Sequence, residues 1–121
     1  MTEPAATPRH GLYFSVSVHA RLSIDDLAPE VSAALGAPLT LSTERGLQND
    51  YVGEVMGLSL WLFVADLPAG GRPARFALIG QARHDGPDIQ WVDVGPYVAD
   101  LLSMRTGRSW SSGSGAAGAG R

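Results

Sequence analysis

An apolar run at residues 58–65 limits the possible folds more than any other segment of the chain. Ser59 is its only polar residue. The run is far shorter than the roughly 20 residues that cross a bilayer, so it predicts a buried strand. Because its leucines alternate with Trp61 and Phe63, both faces of this strand are apolar. We therefore expect a central strand that is covered on both sides, with Trp61 in the core.

The first predicted helix has clear end signals and one awkward residue. Ser23 is a suitable N-cap, and Gly36 is typical of the position just after a helix. If the helix starts at Ser23, Pro29 lies beyond the first turn and removes a backbone hydrogen bond. A start near Asp26 would instead place Pro29 in the first turn, where proline is tolerated. Both starts predict a helix.

The other segments are predicted as strands and a second helix. Residues 12–20 alternate between apolar and polar, which is typical of a half-buried strand. Residues 75–82 and 89–92 are also predicted strands, whereas residues 51–56 fit either a strand or a helical turn. A final helix is expected over residues 95–107. Strands packed against two helices predict an α+β fold, a two-layer sandwich with a mainly antiparallel sheet and both helices on one face.

The length of 121 residues suits one domain. We expect a flexible lead-in over residues 1–10, a single α+β domain over residues 11–110, and a disordered tail over residues 111–121. The tail reads SSGSGAAGAGR and contains no large apolar side chain that would anchor it.

Charge and composition argue against several classes of function. The net charge is −3 and no basic run follows the pattern of a phosphate backbone, so we predict no nucleic-acid partner. The chain has no cysteine, which excludes disulfides and thiolate zinc sites. The first ten residues are polar, unlike the apolar stretch of a signal peptide. We expect a cytoplasmic protein that has no membrane partner.

Candidate catalytic groups are few. His19 lies on the polar face of the first predicted strand, and His84 stands beside Asp85 in a predicted turn. Sequence neighbours in a turn rarely have the geometry of a general-base pair, so a solvated turn is the favoured interpretation. No serine has the sequence of a nucleophile elbow, and no glycine-rich segment has the P-loop lysine. We predict no catalytic residue, no metal site and no cofactor.

Acidic and tryptophan positions are the candidates for partner binding. Acidic surfaces suit partners with basic sites, and tryptophan is enriched at interface hot spots. The same residue types are also typical of solvated turns and of core packing. The predicted partner-binding residues are Glu44, Asp50, Asp66, Asp85, Asp88, Trp91 and Trp110.

Four segments carry a family resemblance: GEVMGLSLWL at 53–62, RFALIG at 75–80, VDVGPYVADLL at 92–102 and GRSW at 107–110. Together they resemble small actinobacterial proteins of the immunity type, which are found beside secreted polymorphic toxins. The shared features are a strand, a strand that ends in glycine, and a final helix that ends in tryptophan. The resemblance implies a protein that binds and blocks one cognate toxin in the cytoplasm. It implies no role for any single residue.

The sequence thus favours a non-enzymatic protein-binding domain. The leading hypothesis is an immunity protein that neutralises a cognate bacterial toxin by occluding its site with an acidic and aromatic surface. One alternative is a small enzyme or ligand-binding domain that uses His19, His84 or Asp85. The other is a structural subunit whose sheet edge pairs with a second copy of the chain.

Overall fold

The computed structural model describes residues 9–43, 49–83 and 88–113. Along the chain the elements are β1 (Arg9–Ala20), α1 (Ile24–Leu35), β2 (Leu39–Leu41), β3 (Tyr51–Val55), β4 (Leu58–Asp66), β5 (Ala74–Ala82), β6 (Ile89–Asp93), α2 (Gly95–Thr106) and β7 (Ser111–Ser112). The strand order is β2-β3-β4-β5-β1-β6, and β7 also pairs with β1. All pairings are antiparallel except that of β1 with β6. The predicted α+β fold is confirmed.

Strand β1 organises this sheet. It has 12 residues and pairs with β5 from Tyr13 to Ala20. On its opposite side, the first half of β1 pairs with β6 and the second half pairs with β7. The alternation that predicted a strand over residues 12–20 also separates two faces, because successive side chains point to opposite sides of a sheet.

The hydrophobic core lies between the helices and one face of the sheet. Its sheet side consists of alternate residues of β1, β4 and β5, and the two helices add their buried residues and contact each other. The largest fully buried side chains are Phe76, Leu27, Leu60, Leu62, Leu78, Leu102, Val16, Val18 and Val31. Among the described residues, no polar or charged residue is buried.

Helix α1 begins where the N-cap signal predicted. The Ser23 side chain accepts a hydrogen bond from the backbone N–H of Asp26 at 3.2 Å, and the helix starts at Ile24. Pro29 therefore lies inside the helix and is exposed, so the carbonyl of Asp25 lacks its usual backbone donor. At the other end, Gly36 has a φ of 71° and closes the helix in the left-handed conformation.

Residues 51–56, which fitted either a helical turn or a strand, form strand β3 and the first residue of a tight hairpin. Val55 pairs with Leu58, so only Met56 and Gly57 form the turn. Both have positive φ, 51° and 79°, as the twist of a two-residue hairpin requires. Met56 is 89% exposed, so its side chain contributes little packing at this turn.

Three sequence expectations differ from the structure. The flexible lead-in was expected over residues 1–10, but Arg9 and His10 are the first residues of β1 and pair with β6. Strand β4 is central, but both helices lie on one face, so Trp61 and Phe63 are half-buried on the other face and Trp61 is not a core residue. The expected disordered tail was placed from residue 111 onward, yet Ser111 and Ser112 pair with β1. Burial of the preceding Trp110, which is 6% exposed, brings this segment back to the sheet. Residues 114–121 and 1–8 lie outside the described residues.

Polar contacts tie the two helices together. Both nitrogens Nε and Nη2 of Arg108 donate to the two carboxylate oxygens of Glu30 at 2.9 Å. Arg105 donates to the carbonyl of Ala34 at 2.7 Å, at the negative end of α1. The pKa of Glu30 lies below its ordinary value because Arg108 donates hydrogen bonds to the ionised carboxylate.

Gly80 makes room for an aromatic ring. It is the cross-strand partner of Phe14, and a β-carbon at this position would overlap the Phe14 ring. We expect Gly80→Ala to lower the free energy of unfolding by about 1–3 kcal/mol, because a packed core does not absorb an extra carbon. In urea unfolding, the Phe14→Leu/Gly80→Ala double variant should be less destabilised than the sum of the single variants. Additive losses would contradict the steric cause.

The Glu30–Arg108 pair predicts a pH-dependent stability. A carboxyl whose pKa is lowered on folding stabilises the native state above its unfolded pKa of about 4.3, and this contribution is lost as pH falls through the folded pKa. The Glu30 and Arg108 side chains are 34% and 33% exposed, so solvent screening weakens their interaction. We therefore expect Glu30→Gln to lower the free energy of unfolding at pH 7 by about 0.5–1 kcal/mol.

The difference in free energy of unfolding between wild type and Glu30→Gln should shrink as the pH is lowered below 4. Urea unfolding at several pH values measures it. The matched control is Glu54→Gln, since exposed Glu54 on β3 joins no ion pair within the described ranges. If Glu54→Gln lowered the free energy of unfolding by the same pH-dependent amount, the pH dependence could not be assigned to the Glu30–Arg108 pair.

Candidate functional site

The sheet face opposite the helices is the candidate surface, and we name it the helix-free face. Cross-strand register places its residues in rows, one of which runs from Val52 through Trp61 and Ile79 to Ser15. Along β1, β4 and β5 its members alternate with core residues. The members include Thr40, Val52, Glu54, Ser59, Trp61, Phe63, Arg75, Ala77, Ile79, Gln81, Tyr13, Ser15, Ser17, His19 and Trp91.

An aromatic pair lies near the centre of the helix-free face. The rings of Trp61 and Phe63 are 4.3 Å apart between centroids, with planes tilted by 31°. The indole Nε1 of Trp61 donates to a carboxylate oxygen of Asp50 at 2.9 Å, which fixes the orientation of the ring. Ile79 and Ala77 are their direct cross-strand partners on β5. The centre of this face is therefore apolar and held in place by hydrogen-bonded strands on both sides.

Beside this pair is an open recess of about 730 Å³. Its wall includes Val52, Glu54, Ser59, Trp61 and Arg83. The Nε of Arg83 donates to the Ser59 hydroxyl at 2.7 Å. The recess thus combines an indole wall with one cationic and one anionic side chain, a composition that suits recognition of a polar surface more than enclosure of a small apolar molecule.

A second aromatic pair lies at the β6 edge of the same face. Tyr13 and Trp91 meet edge to face, with ring centroids 6.4 Å apart. Trp91 also covers Gly11, where a β-carbon would come within 2.7 Å of the indole ring. Trp91 is 42% exposed. Among the described residues β6 pairs only with β1, so this aromatic pair lies at the margin of the sheet.

The predicted partner-binding residues do not form one acidic surface in the part of the chain that the structure describes. Asp50 lies against Trp61, Asp66 is paired with Arg75 at the far end of β4, and Asp88 is exposed before β6. Trp91 is on the helix-free face. Glu44 and Asp85 lie outside the described residues, and so does His84.

Trp110 is in the core rather than on a surface. Its indole Nε1 donates to the Thr106 hydroxyl at 3.1 Å, and its backbone N–H donates to the Ser103 hydroxyl at 2.9 Å. Both partners lie on α2, so Trp110 closes the end of that helix against the sheet. Its burial leaves little ring surface for contact with another molecule.

Sequence reasoning missed most of the helix-free face. Phe63, Ile79 and Arg75 were not among the predicted partner-binding residues, and Trp61 was assigned to the core. The apolar character of both faces of β4 was the available signal. A strand covered on both sides and a strand with one apolar, uncovered face give the same pattern, so the sequence did not distinguish them.

Titratable groups do not assemble into a metal centre within the described ranges, where no group of three or more His, Asp or Glu residues is placed to hold an ion. No helix in these ranges is both long and apolar enough to cross a membrane. Comparisons with protein-family models, with curated proteins and with solved structures gave no match to this chain.

Proposed function

We propose that this chain is a protein-binding domain that uses its helix-free face, and that it acts as an immunity-type protein. In this role it would bind a cognate toxin in the cytoplasm and occlude the toxin's site. The observation that supports binding most directly is the Trp61–Phe63 pair near the centre of a sheet face that neither helix covers. The immunity role rests on the resemblance of residues 53–62, 75–80, 92–102 and 107–110.

The layout of the helix-free face matches that of a protein interface. Aromatic and aliphatic side chains occupy its centre, and charged or polar groups such as Arg75, Arg83 and Glu54 lie around them. Interfaces have this arrangement of an apolar centre and a polar rim, with tryptophan among the residues that contribute most to affinity. Occlusion requires no chemical step, so this function needs only shape and charge complementarity.

The position of the aromatic pair favours tight binding. Strand β4 is hydrogen-bonded to β3 and to β5, so the backbone beneath Trp61 and Phe63 is fixed before a partner arrives. Asp50 orients the indole in addition. A surface that is already ordered loses less conformational entropy on association.

The test is co-expression with the products of neighbouring genes, followed by measurement of the affinity of any one-to-one complex. We expect Trp61→Ala to weaken that complex by about 30-fold or more, the range of an interface hot spot. The matched control is Met104→Ser, because Met104 is 75% exposed on α2 in the other layer. Thermal unfolding of both variants confirms that each is folded.

Two outcomes would contradict the proposal. One is that no neighbouring gene product forms a complex with the wild-type chain. The other is that Met104→Ser weakens the complex as much as Trp61→Ala does. The small-enzyme alternative has only His19 among the described residues, because His84 and Asp85 lie outside them, and it stays a prediction.

A homo-oligomer is the second candidate, and the β6 edge favours it. Arg9 donates to the carbonyl of Asp88, and Val94 donates to that of Tyr13, at the two ends of the β1–β6 ladder. Since bonding alternates along a strand, Ile89 and Asp93 direct their backbone groups away from β1. The edge also exposes apolar side chains without the lysine or proline that commonly protects an edge.

Sedimentation tests this candidate. If two copies pair through β6, the chain should show a concentration-dependent dimer, and Val92→Lys should shift it to monomer because a charge on an edge strand opposes pairing. Val92 is 39% exposed, so the substitution should not disturb the core. Gln90→Lys, on the same strand and sheet face, should have the same effect, whereas Thr40→Lys on β2, at the opposite edge of the sheet, should leave the dimer intact. A strict monomer at all concentrations would remove this candidate.

A further inference from the structure

Three arginines lie in or beside the turn between β4 and β5, at one end of the helix-free face: Arg21, Arg72 and Arg75. Arg21 donates to the carbonyl of Gly71 in this turn at 2.5 Å. The Nε of Arg75 donates to a carboxylate oxygen of Asp66 at 2.6 Å. Arg72 lies in the turn itself, and its side chain forms no hydrogen bond or ion pair within the described ranges.

A pocket of about 440 Å³ opens at this turn. It is lined by His19, Asp66, Leu67, Ala69, Arg72 and Pro73. Two backbone hydrogen bonds between Ala69 and Arg72, at 3.3 and 2.9 Å, hold the turn closed. Gly70 and Gly71 both have positive φ, at 58° and 79°, which favours this tight turn. The turn that forms this pocket wall is therefore held by hydrogen bonds, although it connects two strands and belongs to neither.

The charge at this end opposes that of the whole chain. The net charge of the chain is −3, yet Arg21, Arg72 and Arg75 lie in or beside this turn. Arg75 is ion-paired with Asp66, which leaves Arg21 and Arg72 without an ion-pair partner among the described residues. An excess of fixed positive charge beside a partly apolar pocket attracts an anion. The planar guanidinium of Arg72 matches the two oxygens of a carboxylate.

We propose that this pocket binds a carboxylate of the partner protein, that is, an aspartate, a glutamate or a C-terminal carboxylate. The inference rests on the proposed function, since the pocket adjoins the helix-free face through His19 and Arg75, which are cross-strand partners. Asp66 in the wall disfavours a doubly charged phosphate more than a singly charged carboxylate. The partner would present an acidic group to this pocket. The acidic surface predicted from the sequence would instead suit a partner with a basic site.

The experiment is a titration of the full ¹⁵N-labelled chain, followed by NMR, with propionate, with inorganic phosphate and with sodium chloride at matched ionic strength. Propionate carries the single carboxylate of a glutamate side chain and should give saturable shifts at the amides of His19, Ala69 and Arg72. Arg72→Gln should weaken propionate binding about tenfold, the loss expected for a charge-assisted hydrogen bond. Arg83→Gln is the matched control, because Arg83 lies outside this pocket.

The inference is overturned if sodium chloride gives the same shifts, if phosphate binds more tightly than propionate, or if Arg83→Gln and Arg72→Gln lose equal affinity for propionate. The titration needs no partner, so its failure is independent of the proposed function. Once a partner complex is in hand, Arg72→Gln should weaken it about tenfold, whereas Met104→Ser on α2 should leave it unchanged. A complex that requires Trp61 but tolerates Arg72→Gln would retain the proposed function and reject this carboxylate site.

Discussion

The pairing of β1 with β5 is the constraint on which both layers of this domain depend. Residues 13–20 pair with residues 74–81 without a register shift. This pairing determines which face of the sheet each side chain of β1 and β5 occupies. A slip of one residue would move Val16 and Val18 from the core to the other face. Because β6 and β7 also attach to β1, the position of α2 and of Trp110 follows from the same register.

The two faces of the sheet are stabilised in different ways. On the helix side, polar contacts at the rim supplement the apolar burial: Glu30 with Arg108, and Arg105 with the end of α1. Asp25 accepts a hydrogen bond from the Tyr51 hydroxyl at 2.7 Å, and this bond raises the pKa of Tyr51. On the helix-free face, Trp61 and Phe63 shield each other only in part. That difference leaves an ordered apolar surface available for a partner, and the proposed binding function depends on it.

Charge is distributed unevenly over the helix-free face. The aromatic centre has Asp50 on its indole nitrogen, whereas the turn between β4 and β5 gathers arginines. Charges at the margin of an apolar interface orient the partner. A like charge placed opposite them costs more free energy of binding than a matched charge contributes. If both proposals hold, the protein-binding face and the carboxylate site are two parts of one recognition surface, with different physical roles.

The sequence by itself determined the elements that local chemistry specifies. Alternation predicted β1, Ser23 and Gly36 predicted the ends of α1, and the order of elements predicted the α+β class, because these signals act within a few residues. Only the tertiary structure decided which face of β4 the helices cover, whether residues 51–55 form a strand, and that Trp110 is buried. It also brought Arg21 to a turn some fifty residues away in the chain. Those outcomes depend on which strands pair, and pairing is a non-local choice that a single strand's pattern of side chains leaves open.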